Sequence, residues 1–275
     1  MLKLNNDKIE INYFPDGTQR LKIEEFQKIN VIEWFYEKEE ELSTLIYITR
    51  HLKNVISNCR IVLKVAYLPN ARMDRIHDKS EVFTLKGFAD VINWLGFEQV
   101  YVLDIHSNVG TALIDRVHTE SAFRYIWEAI NTIKDDKLIL YFPDEGAAKR
   151  YSDMFPEMVY CYGEKKRDWE TGKILGLNIK TNGINLEGST ILMIDDIVSY
   201  GGSLYYSSKE LKKCGAGKIY AYATHTENSI LDTEKGTLIK ALEDNTVERL
   251  FTTNSLFTGE HQKITVMEEE EWLDL

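Results

Sequence analysis

The densest chemistry in the sequence lies in the run Ile191-Leu192-Met193-Ile194-Asp195-Asp196-Ile197-Val198-Ser199-Tyr200-Gly201-Gly202-Ser203. Its apolar start reads as a buried strand, a pair of acids follows, and a glycine-containing turn then opens a helix. Backbone N–H groups at such a turn attract an anion, helped by the positive end of the helix dipole behind them. Glycine lets the backbone come close to that anion because it has no Cβ in the way. The carboxylates of Asp195 and Asp196 suit either of two jobs: accepting hydrogen bonds from sugar hydroxyls, or holding a hard cation such as Mg²⁺ through oxygen. An ordinary strand, turn and helix with capping acids is the plainer reading. Paired acids beside paired glycines at the end of a strand fit better a ligand crevice at the switch point of an open α/β sheet.

A site of this kind needs parallel strands to aim it, and the sequence supplies them. Short β-branched runs alternate with helical patterns, the mark of βα units and a mainly parallel sheet. Residues 61–67 read as a strand, after which Leu85, Phe88, Ala89, Ile92 and Leu95 fall at helical spacing, with Gly96 placed to end the helix. A strand at 100–103, a helix at 121–130 and a strand at 138–142, stopped by Pro143, follow. In the second half a short strand at 158–161 precedes a polar stretch at 165–175 without clear periodicity. Then come the strand at 191–194, the helix from Gly201-Gly202 to Lys213, its end marked by Gly215, and a strand at 219–223. The pattern predicts similar α/β halves meeting near residues 140–150, a first half of 1–140 and a second of 141–275.

Composition bounds the rest. A chain of 275 residues with 44% hydrophobic residues can bury a sizeable core. Its longest apolar runs are too short to span a bilayer, and residues 1–8 carry no signal-peptide pattern, so a soluble cytoplasmic protein without membrane partners is expected. The net charge of −11 speaks against generic nucleic-acid binding, which needs a basic surface. Part of that excess is the block Glu268 to Glu271 ahead of Trp272, read as a solvated acidic end. Cys59, Cys161 and Cys214 are odd in number and widely spaced, which suits reduced thiols rather than a disulfide framework or a zinc site.

The glycine-turn segment resembles the ribose-5-phosphate loop shared by type I phosphoribosyltransferases and phosphoribosyl pyrophosphate synthetases, the ribose-phosphate pyrophosphokinases. Further stretches resemble the second family alone. Tyr67-Leu68-Pro69-Asn70-Ala71-Arg72-Met73-Asp74-Arg75 is similar to its Tyr-x-Pro-Tyr-Ala-Arg-Gln-Asp-Arg motif, and Leu103-Asp104-Ile105-His106-Ser107 to its Val-Asp-Leu-His-Ala. Phe142-Pro143-Asp144-Glu145-Gly146-Ala147-Ala148-Lys149-Arg150 is similar to Ser-Pro-Asp-x-Gly-Gly-x-Lys-Arg. Glu164-Lys165-Lys166-Arg167 resembles the basic start of the family's mobile catalytic loop, and Phe14-Pro15-Asp16-Gly17 its adenine-pocket loop. Ala223-Thr224-His225 resembles a Thr-His pair of the family.

The resemblance implies an α/β fold of two similar phosphoribosyltransferase-like halves, each a mainly parallel sheet flanked by helices. It implies an enzyme, a diphosphotransferase that moves a diphosphate from ATP, with Mg²⁺, to the anomeric hydroxyl of a ribose and releases AMP. By the same resemblance Phe14, Asp16, Arg72, Asp74 and His106 bind ATP, His106 and Asp144 bind the metal, and His106, Lys165 and Arg167 are catalytic. Asp195, Asp196, Ser199, Tyr200, Gly201, Gly202 and Ser203 would take the ribose phosphate. Each has a bland reading: a lone His after a strand is usually a satisfied polar residue, and a basic triplet usually a solvated patch. His225 divides evenly between a site contact and a structural hydrogen bond, and Asp104 fits a packing role. A homodimer or higher homo-oligomer is expected, because the relatives share the adenine pocket between subunits.

The sequence also departs from the family pattern. The first strand–helix unit before the Phe-x-Asp-Gly loop and the usual final helix are largely missing, so hexamers and regulation by phosphate or ADP are not expected. Thr18 stands in place of a Glu and Met73 in place of a Gln. Ser199-Tyr200-Gly201-Gly202-Ser203 replaces Asp-Thr-Gly-Gly-Thr, with Tyr205 and Tyr206 close behind. A bulky aromatic at 200 disturbs a tight monophosphate cradle but can stack on a base or lie beside a diphosphate. The acceptor is therefore either ribose 5-phosphate or ADP-ribose, the latter giving ADP-ribose 1-pyrophosphate for NAD⁺ salvage. Rival readings are a phosphoribosyltransferase, which would not need His106, Asp144 and the basic loop together, and a non-catalytic synthetase-like regulatory subunit.

Overall fold

The structure, a computed structural model of the chain, describes residues 1–167 and 174–268, with the backbone alone at 165–167 and 174–175. The chain divides into compact units, Met1–Ser121 and Ala122–Leu275, each built around its own apolar cluster.

The first unit opens with β1 (Leu2–Leu4), β2 (Asp7–Lys8), the hairpin strands β3 (Ile11–Tyr13) and β4 (Gln19–Leu21), and β5 (Ile29–Trp34). It continues with α1 (Glu41–Val55), β6 (Arg60–Val65), α2 (Thr84–Leu95), β7 (Gln99–Leu103), α3 (Asn108–Leu113) and β8 (Val117–Glu120). The sheet runs β2-β1-β5-β6-β7-β8, parallel from β5 to β8 and antiparallel at its β1 and β2 edge. The helical spacing read from sequence is the buried stripe of α2, where Leu85, Phe88, Ala89, Ile92 and Leu95 all face the core. Gly96 ends that helix in the left-handed region at φ 64°. The Lys53 ammonium then donates to the Leu95 and Gly96 carbonyls at 2.6 and 2.7 Å, placing a cation at the negative end of the helix.

The second unit holds α4 (Phe123–Ile133), β9 (Leu138–Phe142), α5 (Glu145–Tyr151), β10 (Tyr160–Arg167) and β11 (Ile174–Lys180). After these come β12 (Thr190–Val198), α6 (Gly202–Lys213), β13 (Lys218–Thr226), α7 (Leu238–Glu243), β14 (Leu250–Thr253) and β15 (Ile264–Met267). Its sheet runs β11-β10-β9-β12-β13-β14-β15, parallel throughout except for β11. The interior strand β9 is buried along its whole length and the central strand β12 along most of its own, as parallel strands covered on both faces must be. Helix α4 packs on β13 and β14 of this same unit, so the contact division at 121–122 falls ahead of it, where the sequence reading drew the line at 140.

Both units are thus mainly parallel α/β sheets, the architecture the sequence implied. Several elements run differently from the sequence reading. The strand expected at 191–194 continues to Val198, because β13 pairs with it past the acids, Asp195 opposite Ala223 and Ile197 opposite His225. The polar stretch at 165–175 includes the end of β10 and the start of β11, an antiparallel arm in which Lys165 pairs with Leu177. That arm pairs strand to strand within itself rather than through the alternation of a half-buried face, so no periodicity marks it.

Candidate active site

In the second unit the candidate residues gather at one end of the sheet. Strand β9 is followed in sequence by β10 on one side, while β12 lies on its other side and leads on to β13. The chain therefore reverses its direction of travel between β9 and β12, and the carboxyl ends of these two strands flank a topological switch point, where open α/β sheets bind ligands. Met193 pairs with Tyr141, which sets Asp195 and Asp196 just beyond the last paired residues of β9 and near Asp144. Asp144 is the N-cap of α5, and its Oδ1 accepts from the Ala147 N–H at 3.0 Å. A guanidinium nitrogen of Arg150 lies 3.4 Å from Asp196 Oδ2.

This crowding has an electrostatic result. Asp195 is pushed well above the ordinary carboxylate range, first because little water reaches its carboxyl, then through the charge of Asp196, with Asp144 adding to the same effect. Its Oδ1 accepts from the Asp196 N–H at 3.0 Å. A site with this bias welcomes hydroxyl donors or a cation.

The turn after β12 is built in a particular way. Ser199 is half-buried and Tyr200 exposed, and Gly201 caps α6 at φ 81°, a left-handed conformation that glycine adopts at little cost. A Cβ on Gly201 would lie 2.3 Å from Leu238 Cβ, so the packing of α7 also demands glycine there. Gly202 is different: a Cβ on it would meet nothing of the chain nearer than Thr237 Oγ1 at 3.8 Å. That open space lies over the first turn of α6, where Ser203 also sits and where no side chain caps the helix. The Tyr200 carbonyl accepts from the Thr237 N–H at 2.8 Å, the Leu238 N–H at 3.2 Å and the Thr237 hydroxyl at 2.8 Å.

In the first unit Arg72 and Asp74 lie in the loop after β6, and His106 in the loop after β7, the carboxyl ends of adjacent parallel strands. Asp74 is buried, and burial acts to raise its pKa. A hydrogen bond from Arg75 and the charges of Arg75 and His106 nevertheless hold it below its ordinary value. The Arg75 Nε donates to Asp74 Oδ1 at 2.9 Å. Phe14 and Asp16 stand at the tip of the separate β3–β4 hairpin, which Gln19 fastens to Ser43 and Thr44 of α1. Phe14 is half exposed, and Asp16 Oδ1 accepts from the Thr18 N–H at 2.9 Å, a bond that lowers its pKa.

Lys165 and Arg167 lie on the backbone of β10, and their side chains are outside the described residues. His225 is 2% exposed and shares a 2.8 Å hydrogen bond between Nδ1 and Ser255 Oγ, in a buried network with Thr253 and the Thr224 carbonyl. This bond accounts for Nδ1 alone. Thr237 was not read from the sequence at all; only a family-wide view of which segment backs the loop would have drawn notice to it.

Among the described residues no group of three or more His, Cys, Asp or Glu side chains is placed to hold a metal ion by itself. A magnesium ion still fits this chemistry, because Mg²⁺ commonly takes one or two carboxylates and completes its shell with water and substrate phosphates. The mutual repulsion that raises Asp195 is of the kind a divalent cation relieves.

Comparison with known proteins adds the ancestry. No family model matches the chain. The ribose-phosphate pyrophosphokinase of Sulfurisphaera tokodaii is 26% identical over 268 residues, covering 95% of this chain and 88% of that protein. The enzyme of the same name from Sulfolobus acidocaldarius is 27% identical over 271 residues, 96% of this chain and 89% of that one. The chain is a divergent relative of the ribose-phosphate pyrophosphokinases. Its fold agrees: the phosphoribosylpyrophosphate synthetase of Mycobacterium smegmatis superposes with a TM-score of 0.76 over 95% of this chain and 86% of that one, at 18% identity. The fold of the two mainly parallel units is thus the one seen in that synthetase. No helix among the described residues is long and apolar enough to cross a membrane.

Proposed function

We propose that this chain is a Mg-ATP-dependent diphosphotransferase that moves the β,γ-diphosphate of ATP to the anomeric hydroxyl of a ribose 5-phosphate moiety and releases AMP. The observation that carries the reading is the switch point of the second unit. There two acids, a helix-capping Asp144 and a glycine turn with open space above Gly202 share the carboxyl end of the sheet, in a chain related to enzymes of that name.

In this reading the turn from Ser199 to Ser203 takes the sugar phosphate on backbone N–H groups at the start of α6. Asp195 and Asp196 accept hydrogen bonds from the ribose hydroxyls and so fix the anomeric oxygen. Arg72, Asp74 and His106 serve ATP, with Phe14 and Asp16 of the hairpin serving its adenine; Arg72 clamps the triphosphate as a planar fork. Lys165 and Arg167 bring positive charge to the transferring group, where phosphoryl transfer most needs it. His106 and Asp144 would each be candidates to hold magnesium, whose charge would offset that of the phosphate oxygens. The enzyme is a cytoplasmic homo-oligomer in the same reading.

A second acceptor is favoured by one feature. Tyr200 is 39% exposed beside the turn, and Tyr206, 62% exposed, stands one helical turn beyond Ser203 on the same face of α6. Exposed rings at the mouth of a phosphate cradle suit an acceptor whose phosphate is extended by a nucleotide, as in ADP-ribose. AMP release with Mg-ATP, run in parallel on ribose 5-phosphate and ADP-ribose, decides between them. Preference for ribose 5-phosphate makes the product phosphoribosyl pyrophosphate. Preference for ADP-ribose makes it ADP-ribose 1-pyrophosphate and places the enzyme in NAD⁺ salvage. Bound Mg-ATP with no AMP from either sugar sinks the diphosphotransferase reading and favours a non-catalytic subunit.

A further inference from the structure

We infer that Thr237 is a positioning residue for the sugar-phosphate turn, one that locks the peptide between Tyr200 and Gly201 with its N–H toward the anion. The inference rests on the proposed function and concerns how its acceptor site is held. Three donors converge on one acceptor: the Thr237 N–H at 2.8 Å, the Leu238 N–H at 3.2 Å and the Thr237 hydroxyl at 2.8 Å all reach the Tyr200 carbonyl oxygen. A trans peptide carries its C=O and N–H on opposite sides, and no peptide bond among the described residues is cis. Holding the carbonyl against the start of α7 therefore turns the Gly201 N–H to the opposite side of the peptide, away from Thr237.

The alternative orientation would forfeit these three bonds and would also work against function. Gly201 sits at φ 81° with no side chain, so the peptide before it is one of the easier ones in the turn to rotate. A rotated peptide would aim a carbonyl dipole at the anion and remove one N–H from it, turning an attraction into a repulsion. Leu238, packed 2.3 Å from the position a Gly201 Cβ would take, fixes where α7 stands, and the half-buried Thr237 supplies two of the three bonds. Its hydroxyl is the part a side-chain change can remove without touching the backbone.

The test compares Thr237→Val and Thr237→Ser with the unaltered protein. Valine keeps the shape and the N–H but loses the hydroxyl donor; serine restores it. The readouts are calorimetric affinity for ribose 5-phosphate, ADP-ribose and inorganic phosphate, and the steady-state constants for AMP release. In Thr237→Val the KM for the preferred sugar and the Kd for phosphate rise about two- to tenfold, the span of one lost hydrogen bond. The KM for ATP and the melting temperature stay near those of the unaltered protein, and Thr237→Ser recovers the affinity. Unchanged sugar affinity in the valine variant overturns the inference. So does a valine effect that serine does not repair, or an equal loss in the KM for ATP, since each points away from the hydroxyl and the turn. An unaltered protein that binds none of the three probes overturns the functional reading itself, and this inference with it.

Discussion

The sharpest test of the acceptor site uses its adjacent glycines, which the structure gives different duties. In Gly201→Ala the new Cβ must adopt φ 81°, which costs a non-glycine residue about 1–2 kcal/mol. It must also find room where Leu238 Cβ stands 2.3 Å away and Leu238 Cα 3.3 Å, an overpacking that costs about 1–3 kcal/mol more. The second unit should lose about 2–5 kcal/mol by these two terms, and the turn should lose its shape with it. In Gly202→Ala neither term applies. The residue is the first of α6, it has no positive φ, and its nearest neighbour would be Thr237 Oγ1 at 3.8 Å. Alanine is the better helix former by up to about 1 kcal/mol, so stability should hold or rise slightly.

The methyl of Gly202→Ala would instead occupy the space assigned to the phosphate. A phosphate oxygen on a backbone N–H sits at about 2.9 Å, too close to share the position with a Cβ. Loss of one charge-assisted hydrogen bond is worth about 1.5–3 kcal/mol, or roughly ten- to a hundredfold in affinity. Urea unfolding and calorimetric titration with the preferred sugar phosphate measure both quantities on each variant. The expected pattern is a stable Gly202→Ala that binds weakly and an unstable Gly201→Ala that binds weakly. A Gly202→Ala protein with the affinity of the unaltered chain would refute the placement of the anion over α6.

Three further outcomes are expected. Lys165→Ala and Arg167→Ala should each lower AMP release about a hundredfold or more while leaving sugar-phosphate binding within a few-fold, since the charge they supply is needed mainly as phosphoryl oxygens develop charge; retention of full turnover in both would remove them from catalysis. On the alkaline side, burial pushes the Cys161 thiol up to about 12 and raises the Tyr141 phenol as well, despite the latter's 2.8 Å hydrogen bond to Ser207. Both folded values exceed the unfolded ones, near 8.5 and 10, so the stabilisation is complete below those values and drains as pH rises through and beyond them. Urea midpoints of the unaltered chain should therefore fall more steeply between pH 8 and 11 than those of Cys161→Ala, and parallel curves would contradict this. Exposed Cys214 should react with a thiol reagent at pH 8 in the folded protein while Cys161 does not.

What the sequence made legible follows from how local each signal is. The stripe on α2, the strand at 138–142 and the start and end of α6 depend on neighbours within a few residues, and all are where periodicity and glycine put them. The extension of β12 through Asp195 and Asp196 was hidden, because only pairing with β13, some thirty residues on, makes strand geometry worthwhile for two acids. Helix α1 and strands β14 and β15 went unread for the related reason that α1 begins among the acids of residues 37–41 and the two strands are short. The candidate residues themselves were visible chiefly through resemblance. Composition and spacing pointed to Asp195, Asp196 and the glycines, but not to Arg72 or Asp74.

The least legible fact is also the most consequential for chemistry. Gly201 and Gly202 are the same letter twice, and sequence reasoning treats both as room for a phosphate. The structure separates them because α7, drawn from residues 238–243, backs the first and leaves the second open. A turn that binds an anion has two demands that compete: its backbone must bend sharply, and its N–H groups must stay bare. Meeting the first by packing Leu238 against Gly201, and turning the Tyr200 carbonyl onto Thr237, leaves Gly202 and the start of α6 to meet the second. Divergence at Tyr200 is tolerable on the same grounds, for its carbonyl does the structural work while its exposed ring is free to serve the acceptor.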